Sequence, residues 1–207
     1  MSNIRASGKA ATAWALAVVA TLLPGCAGDA RDDDDTRAVD DDGELGATQQ
    51  ALVTGQMLYN RRFGECADVA NWSTADQAHV NRFGCHRGAN QLWFLEYGEI
   101  QRGIPYRIRN KHSNKCLDRP WNNTASGTPI QQYGCHFGDA QWWIAEPVVL
   151  GRVTWYRFRA PNTNQCLFAV PDDRQLTMAL CRPAWDQNVD NQYFRVISAE
   201  GALPPPP

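Results

Sequence analysis

Short alternations of apolar and polar side chains mark the folded part of this 207-residue chain. Gln56-Met57-Leu58-Tyr59, Tyr106-Arg107-Ile108-Arg109 and Tyr156-Arg157-Phe158-Arg159 each alternate with a period of two, the pattern of a half-buried strand. A turn follows each one: Arg62-Phe63-Gly64, Lys111-His112-Ser113-Asn114 and Pro161-Asn162-Thr163-Asn164. A cysteine then opens the next strand. Val80-Asn81-Arg82-Phe83 and Ile130-Gln131-Gln132-Tyr133 read as further short strands, each stopped by a glycine. No ten-residue window in this region has a helical period, so the expected class is all-β.

The pattern recurs. First cysteines stand at 66, 116 and 166, fifty residues apart, and second cysteines at 85, 135 and 181. Each unit closes on Gln-x-aromatic: Gln91-Leu92-Trp93, Gln141-Trp142-Trp143 and Gln192-Tyr193-Phe194. A unit of about 50 residues is too small to fold alone, so the three must share one core. Trp93, Trp143 and Phe194 are equivalent and should meet there. Three four-strand units on one core describe a β-trefoil over residues 51–198: a six-stranded barrel capped by three hairpins, with pseudo-threefold symmetry.

What lies outside that region changes the picture of where the protein works. Arg5 and Lys9 precede an apolar run from Ala10 to Leu23, too short for a comfortable membrane span and read as a signal peptide over residues 1–25. Leu22-Leu23-Pro24-Gly25-Cys26 resembles a bacterial lipobox, in which the cysteine is lipidated and becomes the new N-terminus; Pro24 departs from the usual residue. The alternative is an ordinary secretory signal cleaved elsewhere. Both export the protein. Cysteine arithmetic favours the lipobox: six of the seven cysteines fall as one pair per repeat, Cys66 with Cys85, Cys116 with Cys135 and Cys166 with Cys181, and lipidation uses the odd one.

Residues 26–50 read as an acidic, disordered tether. Asp29 to Glu44 holds nine acidic residues against Arg31 and Arg37. A calcium site in Asp32 to Asp35 lacks the spaced ligands, glycine and terminal glutamate that such a loop needs, so no metal is assigned. From residue 47 onward, 16 basic residues face 13 acidic ones with no basic run, which argues against a nucleic-acid partner. Residues 199–207 end in four prolines and read as an exposed stub.

Cys-x-Asp, Gly127-Thr128-x-Ile130-Gln131-x-Tyr133-x-Cys135 and the Gln-x-Trp closings together resemble the ricin-type lectin family, as in plant toxin B chains and the modules of bacterial xylanases. The resemblance spans the whole folded region. It implies a shallow sugar pocket in each repeat. An aromatic two residues before the second cysteine stacks on the sugar face, and an aspartate two after the first cysteine anchors hydroxyls. A polar residue two before the platform and an asparagine before Gln-x-Trp complete the set.

The first repeat matches with Asp68, Asn81, Phe83 and Asn90, and Gln91 is expected to brace Asp68. The second matches with Asp118, Gln131, Tyr133 and Gln141, but Ala140 stands where the asparagine belongs. A lost hydrogen bond to a neutral sugar costs about 1 kcal/mol, to be offset if at all by Asp139 or His136. In the third, Phe168 replaces the aspartate and Ala179 the platform, and the cysteine loop that ends at Cys181 is shortened, so this repeat is expected to be scaffold. Cys85-His86 and Cys135-His136 do not make a catalytic dyad, because a bonded sulfur is no nucleophile. Glu96 and Glu146 belong to separate repeats and read as rim residues rather than a glycosidase pair. The expectation is an exported, monomeric carbohydrate-binding protein that touches membrane only through a lipid, with no cofactor and no catalysis. The alternative is a trefoil adaptor or inhibitor with relic sugar sites; convergence of Asp68, Phe83 and Asn90 on one open concavity separates the two.

Overall fold

The computed structural model describes residues 54–97, 105–205 and 207. The expected signal peptide, Cys26 and the whole of the expected tether fall on residues 1–53, outside the described residues.

The described residues form twelve strands: β1 Gln56–Asn60, β2 Cys66–Val69, β3 Val80–Phe83, β4 Trp93–Tyr97, β5 Pro105–Asn110, β6 Cys116–Asp118, β7 Gln131–Tyr133, β8 Trp142–Leu150, β9 Val153–Arg159, β10 Gln165–Ala169, β11 Leu176–Leu180 and β12 Phe194–Ser198. Six of them close a ring of antiparallel pairs, β1–β4–β5–β8–β9–β12 and back to β1. A closed barrel leaves no strand edge open to another chain. The remaining strands form three hairpins, β2–β3, β6–β7 and β10–β11. Single bridges His79–Gln131, Asn81–Gln175 and Pro129–Thr177 join the hairpins into a cap. This is the β-trefoil that the repeat predicted.

The core is built in threefold sets. Leu58, Ile108 and Phe158, then Ala67, Leu117 and Leu167, then Val80, Ile130 and Leu176 are all buried, and Trp93, Trp143 and Phe194 join them as expected. Trp93 Nε1 donates to Ala67 O at 3.1 Å and Trp143 Nε1 to Leu117 O at 3.2 Å, so each indole is buried with its one donor satisfied. Near the centre of the cap, Gln175 Nε2 donates to the equivalent carbonyls of Val80, Ile130 and Leu176.

All three expected disulfides are formed. Cys66 bonds to Cys85 and Cys116 to Cys135, each at a separation of 19 residues, and Cys166 bonds to Cys181 at a separation of 15. The third bridge departs from the other two in its setting. Cys181 is buried, whereas Cys85 is half-buried and Cys135 exposed. It follows directly on β11, and its N–H donates to Asn164 O at 3.0 Å in the turn before β10. The register around it is nevertheless kept: Ala179 lies opposite Cys166, as Phe83 lies opposite Cys66 and Tyr133 opposite Cys116. Cys181 thus staples a hairpin that has alanine where the other two have an exposed aromatic.

Two departures from threefold symmetry share one cause. Glu96 is held by Arg107 and Arg109, and Glu146 by Arg157 and Arg159, which makes both glutamates rim residues in ion-pair trios. Burial raises the Glu146 carboxyl, but the hydrogen bonds and charges of Arg159 and Arg157 outweigh it and hold the group below its ordinary range. At the third barrel junction the corresponding trio is Ile197, Met57 and Tyr59, and all three are buried in a second apolar cluster. That explains why β1, expected to alternate, has four buried residues in a row. The C-terminal tail, expected as an exposed stub, covers this cluster: Leu203 packs against it and Tyr59 Oη donates to Pro205 O at 3.3 Å.

Candidate functional site

In the first repeat β2 and β3 pair in a register that sets Asp68 opposite Asn81 and Cys66 opposite Phe83. Asp68, Asn81, Phe83 and Asn90 line one open cavity of about 310 Å³, together with Trp72, His86 and Arg174. Phe83 offers its ring at 47 % exposure, while Asp68 lies beneath it at 6 %. Three donors converge on one carboxylate oxygen, Asp68 Oδ2: Gln91 Nε2 at 2.9 Å, Asn90 Nδ2 at 2.9 Å and His86 Nε2 at 3.2 Å. Asn81 is one methylene shorter than glutamine, and among the described residues no side-chain hydrogen bond reaches Oδ1. Burial raises the Asp68 pKa above the ordinary 3.8, against the lowering effect of Gln91, His86 and Asn90.

Gln91 itself is fully buried behind Asp68. Its Nε2 also donates to Gly84 O at 2.9 Å and its Oε1 accepts from His86 N at 2.8 Å. It is a brace, as expected, and does not line the cavity. Asn90 has a part the sequence did not give it. Its Nδ2 ties the 3-10 turn Ala89–Gln91 to β2 through Val69 O at 3.2 Å. Asn191 makes the same tie to Ala169 O at 2.7 Å in the third repeat.

The second repeat forms a cavity of about 370 Å³, lined by Asp118, Gln131 and Tyr133 with Trp121, His136 and Asp139. Gln131 Nε2 donates to Asp118 Oδ1 at 2.8 Å and Gln141 Nε2 to Asp118 Oδ2 at 3.1 Å. Both carboxylate oxygens are engaged here, and Gln141, like Gln91, sits behind the anchor. Asp139 and His136, the residues expected to offset Ala140 toward a sugar, both line the cavity, while the tie that Asn90 makes to the turn is here taken over by Arg119, the residue equivalent to Val69. Buried to 1 % exposure, it donates to Trp142 O at 2.9 Å, to Asn122 Oδ1 at 2.9 Å and to Asp139 O. In the third repeat Phe168 is buried under the guanidinium of Arg182, 5.5 Å away, and no carboxylate stands in its place.

Two pairs of residues escape a reading of the sequence. From the sequence, His86 and His136 suggest only dyad members or substitutes for the lost amide. Gly88 N donates to His86 Nδ1 at 3.1 Å and Gly138 N to His136 Nδ1 at 2.9 Å, which fixes the tautomer and turns Nε2 toward each aspartate. A Cβ on Gly88 would lie 2.6 Å from the His86 ring, and one on Gly138 2.9 Å from His136, so a larger residue at either place would push the histidine aside. The visible signal is Cys-His-x-Gly, present twice and absent from the third repeat, where Arg182 follows Cys181. Trp72 and Trp121 come from tight 3-10 turns, with φ of 53° and 51°, a left-handed backbone that bulky residues rarely adopt. Trp72 is wedged between His86 and His112 at ring distances of 6.0 and 5.3 Å, while Trp121 stands 94 % exposed.

A model of the ricin-type beta-trefoil lectin domain-like family matches residues 54–133 and 89–170. No curated protein matches the chain. Among solved structures, a designed 3-fold symmetric protein, ThreeFoil, is 28 % identical with a TM-score of 0.58, covering 70 % of this chain and 99 % of the design. The exo-beta-1,3-galactanase 1,3Gal43A from Clostridium thermocellum is 19 % identical with a TM-score of 0.58; 70 % of this chain is covered, but only 30 % of that enzyme. A ricin B-like lectin from Macrolepiota procera, solved in complex with lactose, is 16 % identical with a TM-score of 0.53, covering 68 % of this chain and 92 % of the lectin. The likeness to the last two is one of fold. With more than half of its residues matched by the family model and the trefoil complete, this chain belongs to the ricin-type beta-trefoil lectin domain-like family.

Proposed function

We propose that the protein is a non-catalytic lectin that binds glycans of the galactose or xylose type through its first and second repeats. The observation that carries this reading is the convergence of Asp68, Phe83 and Asn90 on one open concavity, with a second carboxylate and exposed aromatic, Asp118 and Tyr133, disposed alike. An exposed ring over a fixed carboxylate suits a pyranose, which is apolar on one face and hydroxylated at its edge. Relic sites in an adaptor have no reason to keep a carboxylate held by three donors beneath an exposed ring.

A glycan array with the purified protein tests the reading, followed by titration of the best sugar. Asp68→Asn keeps the volume and removes the charge. It should weaken the first site by about 10- to 100-fold, the worth of a charge-assisted hydrogen bond. Asp68→Ala, attractive from the sequence because a rim carboxylate supports no core, is the poorer variant: the buried Asp68 satisfies Gln91, Asn90 and His86. Unchanged binding by Asp68→Asn, with an unchanged melting curve, would remove Asp68 from the site.

The proposal extends to location: the trefoil is exported and held at the bacterial cell envelope by a lipid on Cys26. Three disulfides are consistent with an oxidising compartment. Cys26→Ser should release a soluble protein, whereas the parent should partition into detergent. Mass spectrometry showing an unmodified Cys26, or a mature N-terminus well downstream of it, would defeat the anchor.

A further inference from the structure

We propose that the first cavity takes a sugar bearing a carboxylate, with Arg174 as its counter-ion, while the second takes a neutral ring; this rests on the carbohydrate reading of both sites. Arg174 belongs to the third repeat, in the turn between β10 and β11. Its guanidinium lies 5.2 Å from the centre of the Phe83 ring and lines the first cavity beside Asp68, Asn81 and His86. The turn is pinned from below. Arg82 N donates to Arg174 O at 2.6 Å, and the Arg82 side chain donates to Val170 O at 3.1 Å and Pro171 O at 3.0 Å. The backbone under Arg174 is thus fixed, while its exposed side chain forms no ion pair among the described residues.

The second cavity differs at two places, and both differences have the same sign. Gln132 N donates to Ala78 O at 2.9 Å, the bond that corresponds to Arg82 N with Arg174 O, so alanine stands where the first site has its arginine. Asp139 lines the second cavity at the position that is Ala89 in the first. Histidines aside, the first cavity is lined by one carboxylate and one guanidinium, and the second by two carboxylates. Arg119 lies behind the second site and does not line its cavity: it is buried, its Nη1 and Nη2 donate to Trp142 O, Asn122 Oδ1 and Asp139 O, and its Nε is buried without a partner among the described residues.

A pyranose stacked on Phe83, with its hydroxyls on Asp68 Oδ1, turns another edge toward the guanidinium. A planar fork of donors fits a carboxylate there. The third repeat, which has lost its own anchor, in this way supplies a wall of the first site.

Galactose and galacturonic acid differ only by the carboxylate at C6 and make a matched pair of probes. In a Tyr133→Ala protein, which reads the first site alone, galacturonate should bind roughly two- to fivefold more tightly than galactose at low salt, as expected of an exposed ion pair. High salt should shrink that preference, and Arg174→Gln should remove it. In a Phe83→Ala protein, which reads the second site alone, galactose should be preferred. If Arg174→Gln leaves the ratio unchanged, or tightens both sugars equally, Arg174 is merely a cover on the platform and the proposal fails. If neither sugar binds in either protein and Asp68→Asn changes nothing on any glycan, the carbohydrate reading fails with it.

Discussion

Replacing both platforms, Phe83→Ala with Tyr133→Ala, should eliminate binding to polysaccharide and leave the fold intact. The rings are 47 % and 37 % exposed, and neither belongs to the apolar clusters of the core. What their loss removes is the stacking surface of each cavity. Single-sugar binding should be weak even in the parent, because open cavities of about 310 and 370 Å³ bury little of a ligand. A polymer or decorated surface can engage both sites of one rigid trefoil. The second contact is then intramolecular and can raise apparent affinity by about 10²-fold or more where the spacing fits. Either single change should therefore lose most of the affinity for polymer while monosaccharide binding survives at the other site. Changing Ala179 to another small apolar residue, or Phe168 to another large one, should leave binding untouched. Surface-immobilised polysaccharide and monosaccharide titration read the two effects apart. Three equivalent sites in titration, or a double variant that still holds the polymer, would end this account.

The contrast between what could be read in advance and what could not follows the geometry of repetition. Asp68, Phe83, Asp118 and Tyr133 were legible because each sits at a fixed offset from a cysteine, on a strand whose register the hairpin fixes. Trp93, Trp143 and Phe194 were legible for the same reason. The pairing of Cys166 with Cys181 was legible from the repeat, but the burial of Cys181 was not, because it depends on how a shortened hairpin settles against its neighbours. Arg174 was hidden: it reaches Phe83 across the cap from another repeat, and no offset within one repeat reveals that. Trp72 and Trp121 escaped because they occupy adjacent, not identical, places in their turns, so the repeat alignment sets each beside an asparagine. The buried run in β1 was hidden because it depends on a second apolar cluster, in which Trp155, Val189, Tyr193 and Ile197 join Met57 and Tyr59 and on which Leu203 of the tail packs. Arg119 was hidden because the tie between strand and turn, made by the asparagine amide in the first repeat, is made here from a different sequence position.

That substitution leads to the largest expected loss of stability. Arg119→Val should destabilise the trefoil by about 3–5 kcal/mol, because it strips Trp142 O and Asp139 O of their side-chain donors and opens space beside the Trp143 ring. Burial pulls the Arg119 guanidinium down to about 10, against the opposing pull of Asp118 and Asp139, so it stays charged at neutral pH. Ala140→Asn alone should also destabilise the fold, since it adds a larger polar side chain at a buried position where Arg119 already makes the tie to the turn. Combined, Arg119→Val with Ala140→Asn copies the arrangement of Val69 and Asn90, in which the amide ties the turn to β2 and supports the aspartate. The double variant should recover most of the stability, giving a coupling of opposite sign to the two losses in a double-mutant cycle. It should also bring the second site closer to the first in sugar affinity. Urea unfolding of the four proteins decides the matter. An Arg119→Val protein as stable as the parent, or a double variant no better than the worse single one, would show that Arg119 is not the counterpart of Asn90.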